Sequence, residues 1–257
     1  MRLDRLLAVW IVAAALGAGM LPATAQAQTE KQNRDEAAAV NTELAIAYMR
    51  EGDLAAARDK IEKALQQNPK TARTQMVAGF VYDRLGEKRK AKAYYDQAIK
   101  LAKGDPEVLN NAGAYFCRNG EYKRGEELLL QAANSALYRT PDVAYSNAGR
   151  CARGDGRPKE AEQYFRKALS VNPKQGEALW QMAEIAQGQG NGLQARAFLE
   201  RYDAVAPATA ATLWLGRSIE LGLGDPAQAA HYARRLRDEF PTSEEAAKLF
   251  EEERKQP

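Results

Sequence analysis

From Ala38 to Thr242 the small and apolar residues return at helical spacing, and a glycine interrupts them at a fixed interval. The glycines are Gly52, Gly86, Gly120, Gly156, Gly190 and Gly224, with steps of 34, 34, 36, 34 and 34 residues. A second series keeps the same steps: Ala57, Ala91, Gly125, Ala161, Ala195 and Ala229. A third lies before each glycine, at Ala45, Gly79, Gly113, Gly149 and Ala183, and is interrupted only at Arg217. A glycine after an apolar-periodic stretch can turn left-handed, end one helix and open a short turn into the next. Each unit is therefore predicted to be a helical hairpin. The small residues mark where its two backbones meet, and the bulky series Ile61, Tyr95, Leu129, Phe165, Leu199 covers that contact. Pro69, Pro173, Pro207 and Pro241 lack an N–H and close four of the units.

The period and these residues resemble the tetratricopeptide repeat. The fold expected is all-α, a right-handed solenoid of six helical hairpins with a C-terminal capping helix, thirteen helices in all. The units run from Ala38 to Thr71, Ala72 to Asp105, Pro106 to Arg139, Asp142 to Gln175, Gly176 to Thr209 and Ala210 to Ser243. Residues 244–257 supply the cap and tail, with Ala247, Leu249 and Phe250 set among charges. Residues 28–37 form a polar lead-in that is expected to fray. The two extra residues fall near Tyr138-Arg139-Thr140-Pro141, so the joint between units three and four departs from regularity.

A different pattern opens the chain. Arg2 and Arg5 precede an apolar run from Leu6 to Leu21, followed by Ala23-Thr24-Ala25 and Ala25-Gln26-Ala27, small residues of the kind a signal peptidase accepts. The run is 16 residues long and ends at Pro22, short of the roughly 20 that span a bilayer. Residues 1–27 are expected to be a cleaved signal peptide. No cysteine precedes Cys117, so a lipid anchor is not expected.

Composition narrows the function. In 257 residues, 37 Lys+Arg against 34 Asp+Glu gives a net charge of +3, too balanced for the field that nucleic-acid binding needs. One histidine, His231, and two cysteines, Cys117 and Cys151, offer no zinc site and little acid–base or nucleophilic chemistry. No cofactor, metal or small-molecule substrate is expected, and the chain reads as a non-enzyme. Gly188 to Gly192 is glycine-rich, but it lies at an ordinary hairpin turn with no strand before it, so it is not read as a phosphate loop.

In tetratricopeptide arrays the first helix of each hairpin lines the concave face, and the resemblance implies that positions 2, 5, 9 and 12 of each unit point into the groove. Units one and two place Ile46, Met49, Met76 and Phe80 there, an apolar set suited to gripping a peptide or helix. The middle supplies Asn110, Arg150 and Arg153, and units five and six place Trp180 and Trp214 at one position. The competing reading makes the Met and Phe side chains core. A chaperone-type carboxylate clamp is disfavoured, because Met76 and Phe80 stand where its Lys and Asn would be. Cys117 and Cys151 lie in the first helices of adjacent units and form either a disulfide on export or two buried thiols.

The stretch Asn110-Asn111-Ala112-Gly113-Ala114-Tyr115-Phe116-Cys117-Arg118-Asn119-Gly120, the insertion at Tyr138-Arg139-Thr140-Pro141, and Asn147-Ala148-Gly149-Arg150-Cys151 together resemble the type IV pilus biogenesis and stability proteins, the PilF/PilW pilotin group. The resemblance extends from Asp35 to the C-terminus. It implies a periplasmic scaffold that binds outer-membrane secretin subunits or other pilus assembly proteins, promotes assembly of the secretin pore and keeps pili stable. Association with the membrane would be indirect, through a partner. A general envelope adaptor for cell-wall or outer-membrane protein assembly is the alternative.

Overall fold

The computed structural model describes residues 23–255; the apolar run Leu6–Leu21 and its arginines lie outside the described residues. Among the described residues there are thirteen helices and no strand, arranged as six hairpins and a terminal helix. The hairpins pair α1 (Ala23–Glu51) with α2 (Leu54–Gln67), α3 (Ala72–Arg84) with α4 (Lys88–Ala102), and α5 (Pro106–Arg118) with α6 (Tyr122–Ala133). They continue with α7 (Pro141–Gly154) and α8 (Pro158–Val171), α9 (Gly176–Gly188) and α10 (Gly192–Asp203), and α11 (Ala210–Gly222) and α12 (Pro226–Glu239), closed by α13 (Glu244–Lys255).

The sequence dictates this arrangement through its turns and close contacts. All six spaced glycines adopt φ between +73° and +82°, the left-handed turn that ends each first helix. Within the hairpins the small residues meet the bulky series: a β-carbon on Gly79 would lie 2.7 Å from the Tyr95 ring, and one on Gly149 would lie 2.6 Å from Phe165. Tyr95 and Phe165 are themselves wholly buried. Unit six differs. Its close contact is made one residue early, by Gly216 against Tyr232 at 2.6 Å, which explains why the small series breaks at Arg217. Arg217 is free to reach Glu252 of α13, at 2.8 Å.

Two expectations are corrected at the ends. The polar lead-in does not fray but belongs to α1, and its Asp35 carboxylate accepts a 2.8 Å bond from Asn68 Nδ2 at the end of α2. Asn172 makes the same bond to Asp142 three units on, also at 2.8 Å. The cap α13 turns Ala246 and Leu249 inward and leaves Ala247 and Phe250 exposed. The inward pair is spaced i, i+3, as one face of a helix requires. The irregular joint is the connection of residues 134–140 between α6 and α7, the longest between hairpins.

Candidate partner-binding face

The first helices α1, α3, α5, α7, α9 and α11 form the inner face, and their register decides which side chains a partner can reach. Position 5 points into the seam with the next first helix rather than into the groove. Thr42, at position 5 of unit one, shares a buried 3.0 Å hydrogen bond with Thr74 of α3. Asn110 is buried at 7% exposure and its Oδ1 accepts from Asn147 Nδ2 of α7 at 3.0 Å. Met76 occupies the same position at 7% exposure, and Met49, at position 12, is at 6%; both belong to the core. The expectation that these two methionines line an open apolar groove is therefore corrected. Asn110 likewise acts within the scaffold.

Positions 2 and 9 are open, and position 12 opens in units four and six, at Arg153 and Leu221. Phe80 is 38% exposed, and Ile46, one unit before it, is half-buried against the core. Arg150 is exposed 3.6 Å from Glu177 of α9, while Arg153 pairs with Glu184 at 2.5 Å and bonds Gln181. Trp180 and Trp214 share position 5, but their bulk exceeds the seam and both remain half-buried. The Arg217 guanidinium stands 5.1 Å from the centroid of the Trp214 ring. The indole Nε1 of Trp180 and the hydroxyl of Ser146, at position 5 of consecutive units, are buried without a hydrogen-bond partner among the described residues. The face thus reads as one aromatic at unit two, a band of ion pairs in the middle, and two tryptophans at units five and six.

At the centre the structure joins Cys117 of α5 to Cys151 of α7 in a disulfide with Cα atoms 5.1 Å apart. Beside it lies a cavity of about 240 Å³ lined by Arg118, Tyr122, Asn147 and Arg150. Arg118 reaches Asp83 of α3 at 2.9 Å. Sequence reasoning gave Arg118 and Tyr122 no place in the site, although Arg118 directly follows Cys117 in the stretch that carries the resemblance. His231 lies on α12, its ring edge-on to Tyr232 with centroids 6.2 Å apart. Among the described residues no group of three or more His, Cys, Asp or Glu is placed to hold a metal, and no helix is long and apolar enough to cross a membrane.

Stacked helical hairpins stepped by 34 residues, with left-handed glycine turns and small-to-large contacts inside each hairpin, define the tetratricopeptide repeat proteins. Family models of the tetratricopeptide repeat match residues 36–104, 152–214 and 210–243, together more than half of the chain, and the chain belongs to that family. Within it, the chain is homologous to type IV pilus biogenesis proteins in both sequence and fold. It is 27% identical over 158 residues to the type IV pilus assembly protein PilF of Pseudomonas aeruginosa, a match covering 62% of this chain and 62% of PilF. The solved structure of Pseudomonas aeruginosa PilF aligns with a TM-score of 0.74 at 25% identity, over 86% of this chain and 99% of that one. PilW, a widely conserved type IV pilus biogenesis factor, aligns with a TM-score of 0.74 at 29% identity, over 83% of this chain and 98% of its own.

Proposed function

We propose that the protein is a non-catalytic periplasmic scaffold for type IV pilus biogenesis, which binds secretin subunits and promotes assembly of the outer-membrane pore or stability of the pilus. The observation that carries this reading is the fold shared with PilF and PilW at a TM-score of 0.74 over more than four-fifths of the chain. The inner face supports it: Phe80, Trp180 and Trp214 are partly exposed aromatic anchors of the kind enriched at binding hot spots, separated by charged rungs that set register. Export removes residues 1–27, and the Cys117–Cys151 bridge forms in the oxidising compartment, where it ties units three and four across the longest connection. The protein reaches the outer membrane through its partner.

The test is deletion of the gene, with twitching motility and heat-resistant secretin multimers measured together. Loss of both supports pore assembly as the role. Loss of motility with normal multimers moves the role to pilus stability. Normal motility with normal multimers contradicts the proposal and favours a general envelope adaptor.

A further inference from the structure

The chain contains two Asn-Gly pairs, Asn119-Gly120 and Asn191-Gly192, and the fold treats them differently. Asparagine before glycine is prone to lose its side-chain amide, because glycine has no β-carbon to keep the following backbone nitrogen away from the carboxamide carbon. The reaction needs a side chain free to turn, a following amide that is not held, and access for water.

At Asn119 the first two conditions fail. Its Nδ2 donates to Tyr115 O at 3.0 Å, and the Gly120 amide donates to Cys117 O at 3.2 Å. At Asn191 all three are met. Asn191 occupies the N-cap position of α10, yet its side chain makes no capping bond and the residue is exposed. The Gly192 amide opens the helix, among the first-turn donors that have no acceptor inside it. The equivalent amides of units one and two donate back to the turn glycine, Leu54 N to Gly52 O at 3.0 Å and Lys88 N to Gly86 O at 2.9 Å; Gly192 N makes no such bond among the described residues. Glycine at 192 has its own cause, since a β-carbon there would lie 2.8 Å from Cδ2 of Leu223 in the turn of the next unit. Packing between units five and six thus creates the pair, and the helix end, where local opening costs least, presents it to water.

We propose that Asn191 is a site of spontaneous deamidation. The Gly192 nitrogen, having given its proton to solvent, bonds to Cγ of Asn191, and Nδ2 takes up a proton and leaves as ammonia. Water then opens the five-membered imide. Attack at Cγ breaks its bond to the Gly192 nitrogen and leaves aspartate; attack at the backbone carbonyl carbon breaks the other bond and leaves isoaspartate, with the chain running through Cγ. The net change exchanges one amide and one water for one carboxylate and one ammonium. The aspartate product places at the head of α10 the residue that units one and six already use, where Asp53 accepts from Ala56 N at 2.9 Å and Asp225 from Gln228 N at 3.0 Å. The site lies at a hairpin turn and uses neither Phe80 nor the tryptophans, so it is independent of the secretin reading.

The experiment is peptide mapping by mass spectrometry of the purified protein, incubated at mildly alkaline pH in water enriched in heavy oxygen, both folded and in guanidinium chloride. In the folded protein heavy oxygen should enter at residue 191, as aspartate and isoaspartate resolved by chromatography, at least tenfold faster than at residue 119. In guanidinium the two sites should convert at similar rates, since both are Asn-Gly. Similar rates at the two sites in the folded protein overturn the proposal, as does absence of conversion at 191 in the folded protein when the denatured form converts there. A tenfold gap that persists in guanidinium would place its cause in the neighbouring sequence rather than in the fold, and overturns it as well.

Discussion

Gly125 lies directly beneath the sulfur of Cys117: a β-carbon at 125 would overlap Sγ and stand 2.8 Å from the carbonyl oxygen of Gly113. The other five units carry alanine at this place, and each of those alanines is buried. Glycine in unit three is therefore the accommodation that the half-cystine requires. Gly125→Ala is expected to destabilise the protein by about 1–3 kcal/mol through overpacking. It should also raise the fraction of unbridged thiol, read by thermal melting with thiol titration. An unchanged melting temperature with an intact bridge would contradict this account.

The bridge itself closes a sequence separation of 34 residues. Thiol titration of the exported, unreduced protein under denaturing conditions should find no free thiol. Loop-closure entropy sets the loss in Cys117→Ser/Cys151→Ser at no more than roughly 3–4 kcal/mol. Two titratable thiols in the exported protein would show that the bond does not form on export.

Two glycines of unit four separate backbone from packing effects. Gly156 has φ of +73° with open space where a β-carbon would go, so Gly156→Ala should cost about 1 kcal/mol, from backbone strain alone. Gly149 is helical but faces Phe165 at 2.6 Å, so Gly149→Ala must displace a buried ring and is expected to cost more, up to about 3 kcal/mol. Urea unfolding of both variants checks the order; the reverse order would mean that the hairpin contact yields easily.

The hairpins were legible because their causes are local or strictly periodic: Gly52 to Gly224 mark the turns, and Gly79, Gly113 and Gly149 mark the close contacts. The inner face was less legible because exposure there depends on the neighbouring unit. Met76 and Trp180 occupy equivalent positions, yet only the larger side chain extends beyond the seam. The one-residue shift from Arg217 to Gly216 was hidden for a different reason: it lies inside unit six and appears only once Tyr232 is seen opposite Gly216.

Glu126 gives a pH signature. Burial opposes its charge, but hydrogen bonds from Arg157 and from Tyr164 Oη at 2.6 Å win, and its carboxyl titrates below the usual glutamate value. The unfolded chain then binds the proton more readily, so stability rises with pH in this range. The contribution is complete above about pH 4.5, the ordinary glutamate value, and is lost as the pH falls through the lowered one. Melting temperatures from pH 7 down to pH 3 should therefore fall less steeply for Glu126→Gln than for the native protein. Equal slopes would assign the acid sensitivity to other carboxylates.

The central claim is that the inner face binds the secretin subunit, and the most direct measurement is calorimetric titration of the purified protein and its Phe80→Ala variant with that subunit. Truncating a desolvated aromatic anchor costs about 2 kcal/mol or more, roughly thirtyfold in affinity, whereas cutting a core phenylalanine costs about 3–5 kcal/mol of folding stability. Phe80 is 38% exposed, so the account predicts saturable binding that weakens at least tenfold in Phe80→Ala with a nearly unchanged melting temperature. Absence of binding to the secretin subunit, or full-strength binding by a Phe80→Ala variant with a sharply lowered melting temperature, would contradict it.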